Sequence, residues 1–127
     1  EGIVPGGGIG LLRAGSVLRD LAVKKEEEAG VKVVQRACEV PLHEICANAD
    51  ENAAEVTSKV LKSKKKSYGF DVTTGQYADL FEVGILDPTK VIRLALETAA
   101  IYAINMLTTE GLVHPSLSNR PQAGHTI

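Results

Sequence analysis

From Pro88 to Thr109 the chain is apolar on nearly every side, and this stretch constrains the fold more than any other. Valine, isoleucine, leucine, alanine and methionine crowd positions 91 to 107, leaving one narrow strip on which Arg93 and Glu97 form an i,i+4 pair. A helix of this length, roughly 33 Å at 1.5 Å per residue, is expected at the centre of a domain, with its alanines letting neighbouring helices approach closely. Its start is also written in the sequence: Asp87 is suited to an N-cap and Pro88 to the first helical position. No run of eighteen apolar residues lacks a charge, so a membrane span is not expected.

The rest of the chain supplies enough apolar residues to build around such a helix. With 127 residues, 44% of them hydrophobic, it is one domain's worth of protein and needs neither disulfide nor metal to fold. Ile9 to Leu21 repeats apolar residues at helical spacing, with Arg13, Arg19 and Asp20 left for the wetter faces. Gly15 inside this helix costs about 1 kcal/mol relative to Ala and therefore marks close packing against a neighbour. After the charged junction Lys24 to Glu28, a second helix carries Val31 to Val40. Pro41 is expected to break or kink it, leaving Leu42 to Ala47 as a further short helix. Ala53 to Leu61 is amphipathic, with Val56, Val60 and Leu61 inward. Tyr68 to Gly75 places strand-like residues between turn formers and reads as a short strand or hairpin edge. Leu112 to His114 reads as a terminal strand and Ser116 to Ile127 as a mobile polar tail, so the folded part is expected over 1–115 and the tail over 116–127. The fold class is mainly α with a small β element.

Chemistry is sparse. Fourteen basic and sixteen acidic residues leave a net charge of −2, which argues against a dedicated nucleic-acid partner. The one basic cluster, Lys62 and Lys64 to Lys66, has no interleaved aromatics and reads as a solvated loop. Cys38 and Cys46 stand eight apart, outside any C-x-x-C pair, as small hydrophobes of a reducing compartment. No set of ligands for a metal and no nucleophile with a partnered histidine emerges, so neither a metal site nor a catalytic residue is assigned. Pro5-Gly6-Gly7-Gly8 opens a helix, either as a tight packed turn or as bare backbone N–H groups against an anion or sugar. It is neither a P-loop nor the dinucleotide fingerprint. Asp87 can cap the long helix or accept hydrogen bonds from a diol, and Asp71 suits a turn. Glu1 is not a methionine and no secretory segment follows it, so the chain reads as a piece of a longer one.

Three segments in order, Glu1 to Gly8, Tyr68-Gly69-Phe70-Asp71 and Gly84-Ile85-Leu86-Asp87-Pro88-Thr89-Lys90-Val91, resemble the group I chaperonins of the GroEL type, and the likeness extends to about His114. The resemblance implies the C-terminal half of a chaperonin equatorial domain, a fragment of an ATP-dependent, ring-forming folding chaperone. It also implies site residues for ATP. Gly7 would meet the ribose side through its backbone, Asp71, Val72 and Thr73 would border the adenine, Ile85 would pack on its face and Asp87 would bind the ribose hydroxyls. The family usually has Asn where Asp71 stands and small residues where Val72 and Thr73 stand. Its phosphate loop and the ligands of its Mg and K ions belong to upstream sequence, so the fragment alone is expected to be inactive. The resemblance further implies ring subunits as partners, with unfolded proteins and a co-chaperonin reached only through domains outside this chain. His43 and Asn52 stand where the family commonly has a charged pair between rings. The compartment implied is bacterial cytoplasm or an organellar matrix or stroma. Without the resemblance, the residues are equally compatible with a free-standing helical interaction or scaffold domain that binds no nucleotide.

Overall fold

The computed structural model describes residues 1–111 and Val113. The elements run β1 (Ile3–Pro5), α1 (Ile9–Val17), a 3-10 turn (Leu18–Asp20), α2 (Glu28–Asn48), α3 (Ala53–Lys62), β2 (Tyr68–Asp71), β3 (Gln76–Asp79), β4 (Leu86–Pro88) and α4 (Thr89–Thr108). The architecture is mainly α with small two-stranded sheets, as expected. The terminal strand expected at Leu112 to His114 and the tail 116–127 lie, Val113 aside, outside the described residues. Two units are distinguished, one ending at Ala95 and one beginning at Leu96.

The first unit holds the core: Ile9, Leu12, Leu42, Cys46, Val56, Val60, Phe70 and Leu80. Helix α1 packs on α2, and Gly15 is a point of close approach, because a Cβ there would stand 2.8 Å from the Cys38 Cβ. Pro41 does not end the second helix. Residues 28 to 48 form one helix with the proline inside it. An interior proline forfeits a backbone hydrogen bond and costs about 3 kcal/mol. Cys38, Leu42 and Cys46 form a single buried stripe at i, i+4 and i+8 on both sides of it. Burying Leu42 alone is worth about 1.5–3 kcal/mol, so a stripe continuous through the proline carries the helix past it.

Asn52 caps α3, its Oδ1 accepting from the amides of Ala54 at 3.1 Å and Glu55 at 3.2 Å. Val56 and Val60 face inward from that helix. Arg13, read from sequence as a wetter-face residue, is half-buried. Its Nη2 donates to the carbonyls of Val60, Lys65 and Tyr68 at 3.3, 2.6 and 3.1 Å, tying the end of α3 and the following loop to α1. Burial pushes the Arg13 pKa down.

The strand-like segment is a hairpin, β2 pairing antiparallel with β3 from Tyr68↔Asp79 to Asp71↔Gln76. A second antiparallel pair joins the ends of the unit, with Ile3↔Pro88, Val4↔Asp87 and Pro5↔Leu86. This pairing corrects the expected helix start. Asp87 is a strand residue rather than an N-cap, Pro88 closes the strand, and α4 begins at Thr89. The ladder with β1 holds Leu86 to Pro88 extended, and the Thr89 amide donates to the Gly2 carbonyl at 3.1 Å.

The long apolar helix exists, but none of its residues is buried. In the second unit Ile101 is 59% exposed and Leu107 86%. The expected central position is therefore not met among the described residues. By length and composition alone α4 is also sufficient to cross a bilayer.

Candidate functional site

The β1–β4 pairing decides where the candidate residues go. Beyond Pro5 the chain must turn sharply into α1, and Gly7 and Gly8 do so with φ of +63° and +78°, a region that side chains disfavour. The turn is seated against the residue before β4. The Gly6 amide donates to the Ile85 carbonyl at 2.9 Å, and Gly6 is so close that a Cβ would meet Ile85 at 3.2 Å. At Gly7 the Ile85 methyl Cγ2 lies 4.0 Å from where a Cβ would sit. Asp87 follows two residues later, opposite Val4. Gly7, Ile85 and Asp87 are thus brought onto one short ribbon: bare backbone, an apolar side chain and a carboxylate.

Asp71, Val72 and Thr73 occupy the turn of the β2–β3 hairpin. Val72 and Ile85 both pack at the edge of the same buried core, which relates the hairpin turn to the ribbon. The Asp71 carboxylate is already engaged. Its Oδ1 accepts from the Thr73 amide at 2.9 Å and its Oδ2 from the Thr74 hydroxyl at 2.8 Å. The Thr74 bond, followed by the Thr73 bond, holds its pKa below the ordinary value. The turn role read from sequence is the one observed.

Gly7, Ile85 and Asp87 are each half-buried on the ribbon. A cavity of about 420 Å³ lies between the 3-10 turn and the start of α2, lined by Leu18, Leu21, Val31 and Gln35 among others. A smaller one of about 180 Å³ lies beside α3 and the hairpin, lined by Asn52, Glu55, Lys59 and Tyr77 among others. Neither is lined by Gly7, Asp71, Val72, Thr73, Ile85 or Asp87. Among the described residues no cluster of three His, Cys, Asp or Glu side chains is placed to hold a metal. Cys38 and Cys46 are free and buried, and burial raises both thiol pKa values. His43 Nε2 and Thr57 Oγ1 are hydrogen-bonded at 3.2 Å between α2 and α3, and Asn52 is committed to capping α3.

Three features of this region were not legible in the residue pattern. Arg93 binds Glu1 through two contacts, Nε to Oε2 at 3.0 Å and Nη2 to Oε1 at 2.7 Å, fastening the first turn of α4 to the start of β1. Lys59 lies 4.9 Å from the centre of the Tyr77 ring, which stacks on Tyr68. Gly8 presses on the backbone of Leu42, where a Cβ would stand 2.6 Å from the Leu42 nitrogen. Each joins segments far apart in sequence. Only the positive-φ demand on a glycine run hints at the last.

The model of the TCP-1/cpn60 chaperonin family matches residues 1–116. The chain belongs to this family. Among solved structures it is similar to the open-state monomer of a group II chaperonin from Methanococcoides burtonii, with a TM-score of 0.78 and 22% sequence identity. That match covers 84% of this chain and 28% of the group II chaperonin chain. At this identity the likeness is one of fold. The mainly α architecture with its small β element is that of a chaperonin equatorial-domain fragment, and the chaperonin segment described here spans just over a quarter of the group II subunit.

Proposed function

We propose that this segment forms the ribose and adenine side of the nucleotide site in an ATP-dependent, ring-forming folding chaperone of the group I type. The observation that carries the reading is the β1–β4 pairing, which sets the bare backbone of Gly7 against Ile85 with Asp87 two residues on. In the proposed role Ile85 packs on the base, Asp87 accepts from the ribose hydroxyls, and Gly7 admits the sugar without a side chain. An apolar wall with a few placed polar groups is the usual make-up of such a site. Asp71, Val72 and Thr73 border the adenine from the hairpin turn, Asp71 through its backbone because its carboxylate is engaged within the turn.

The phosphate-binding elements, with Mg and K, are assigned to the rest of the full-length chain, which also completes the pocket around the ribbon. The segment alone then lacks the electrostatic groups that phosphoryl transfer requires and does not hydrolyse ATP. Its partners are other subunits of the ring. Unfolded proteins and a co-chaperonin engage other domains, and neither nucleic acid nor membrane is a partner. The compartment is bacterial cytoplasm or an organellar matrix or stroma.

The test is ADP affinity of the full-length parent with Asp87→Ala. A loss of tenfold or more, about 1.4 kcal/mol, is expected, and unchanged affinity overturns the reading. A second reading, a helical interaction or scaffold domain without nucleotide, is favoured by the engaged Asp71 carboxylate and by the uncovered α4. Unchanged ADP affinity in that experiment would support it.

A further inference from the structure

The glycine turn is held from two sides, and only one of them belongs to the proposed site. On one side is Ile85, bonded to the Gly6 amide. On the other is α2. A Cβ at Gly8 would stand 2.6 Å from the Leu42 nitrogen, 2.9 Å from its Cα and 3.1 Å from its Cβ. Two of these are backbone atoms of a helix buried at that point, Leu42 itself being 1% exposed. They cannot swing aside as a side-chain end can. Gly8 also carries φ +78°, and its carbonyl accepts from the Leu12 amide at 3.1 Å, so it opens α1 while touching α2.

We propose that Gly8, seated on the Leu42 backbone, is a positioning residue for the candidate nucleotide wall, fixing where Gly7 and Ile85 stand relative to α2. This rests on the nucleotide reading above. With no side chain between turn and helix, a displacement of α2 at Leu42 is passed directly to Gly7, two peptide units from β1. Close-packed contacts of this kind transmit displacement rather than absorb it. A shift of about 1 Å in a positioning group is enough to cost on the order of a hundredfold in a catalytic site.

Other glycines supply the control. Gly2, Gly75 and Gly84 share the positive φ, at +83°, +68° and +79°, but a Cβ at each would meet nothing within 4 Å. They carry the same backbone strain without the collision. Gly15 tests the separation of α1 and α2 elsewhere, since its Cβ would press on the Cys38 side chain instead.

The experiment measures ADP affinity and thermal stability in the full-length parent. Gly8→Ala is expected to weaken ADP binding at least tenfold, while Gly75→Ala, Gly84→Ala and Gly15→Ala change it less than threefold. Because the Gly8→Ala collision is with backbone and threatens folding itself, Leu42→Ile reaches the same contact from α2. It conserves core volume but adds a branch at the Cβ nearest Gly8, and a threefold weakening at nearly unchanged Tm is expected. If Asp87→Ala weakens ADP binding while Leu42→Ile, and Gly8→Ala where it folds, do not, the positioning role is overturned and the nucleotide reading stands. If Asp87→Ala has no effect either, the nucleotide reading falls, and the positioning role with it.

Discussion

Helices α2 and α4 are almost the same length, 21 and 20 residues, and their fates are opposite. α2 carries a proline in its interior and a mostly polar surface, yet it buries Cys38, Leu42 and Cys46. α4 is far more apolar and buries nothing. Apolar content therefore does not decide burial. What decides it is whether the apolar residues repeat on one face and whether an element faces them. α2 has one stripe and finds α1 and α3 against it. α4 is apolar nearly all round, and none of its residues is buried among the described residues.

The largest expected effect tests that contrast directly. Leu42→Ala should cost about 2–5 kcal/mol in urea denaturation, because it empties a site at the centre of the core. Leu107→Ala should change stability of this segment by less than about 0.5 kcal/mol, as an exposed position does. Equal costs would break the comparison. In the full-length parent Leu107→Ala becomes a core substitution costing about 2–4 kcal/mol if the remaining chain covers α4, and stays near zero if it does not. The uncovered helix also leads us to expect the segment alone to self-associate, with light scattering falling on Ile101→Asp.

The next effect distinguishes glycines. Gly15→Ala gains about 1 kcal/mol of helix propensity, but its methyl lands 2.8 Å from the Cys38 Cβ. Overpacking of this kind costs about 1–3 kcal/mol, so a net loss is expected. Gly30→Ala, in α2 with nothing within 4 Å, should instead stabilise by about 0.4–1 kcal/mol. If both stabilise, α1 and α2 are not locked at Gly15, and the buried stripe of α2 is looser than its burial implies. Smaller still, Asn52→Ala should cost about 1 kcal/mol, since it removes the acceptor for two amides at the start of α3.

Legibility followed the range of the interaction. The helices, the inward side of α3 and the turn role of Asp71 depend on neighbours within a few residues, and the sequence pattern reaches that far; at Gly15 the pattern marked a close approach but not its partner, Cys38. The break expected at Pro41 failed because local propensity was outweighed by a buried stripe that only the packed structure reveals. The Asp87 cap failed for the same reason, since pairing with Val4 across the unit overrode a good local helix start. The central position expected for α4 failed on composition, which measures demand for burial and not its supply. Of the candidate site, Gly7, Ile85 and Asp87 were nominated through resemblance, and their meeting on one ribbon depends on strand pairing that no residue pattern encodes. The Gly8–Leu42 contact was invisible because it is made by backbone atoms.

The smallest effect concerns how α4 is fastened. Its first turn is tied to β1 by Arg93 and Glu1, and the Arg93 hydrogen bond, more than its charge, holds the Glu1 carboxyl below the ordinary glutamate range. A carboxyl lowered on folding contributes stability that is fully present above its unfolded pKa, about 4.3, and is lost as pH falls through the lower folded value. Acid should therefore loosen the start of α4 while leaving the packing of Cys38, Leu42 and Cys46 in place, because that buried stripe of α2 carries no carboxylate. NMR shifts of the Thr89 amide and Arg93 Nε, followed from pH 6 downward, should move together below that range. Glu1→Gln should reduce the Thr89 and Arg93 responses. The pair is solvent-exposed, so added salt should shrink the response. If the α2 amides titrate in step with Thr89, the two helices are not independently held, and the contrast between them is one of exposure alone.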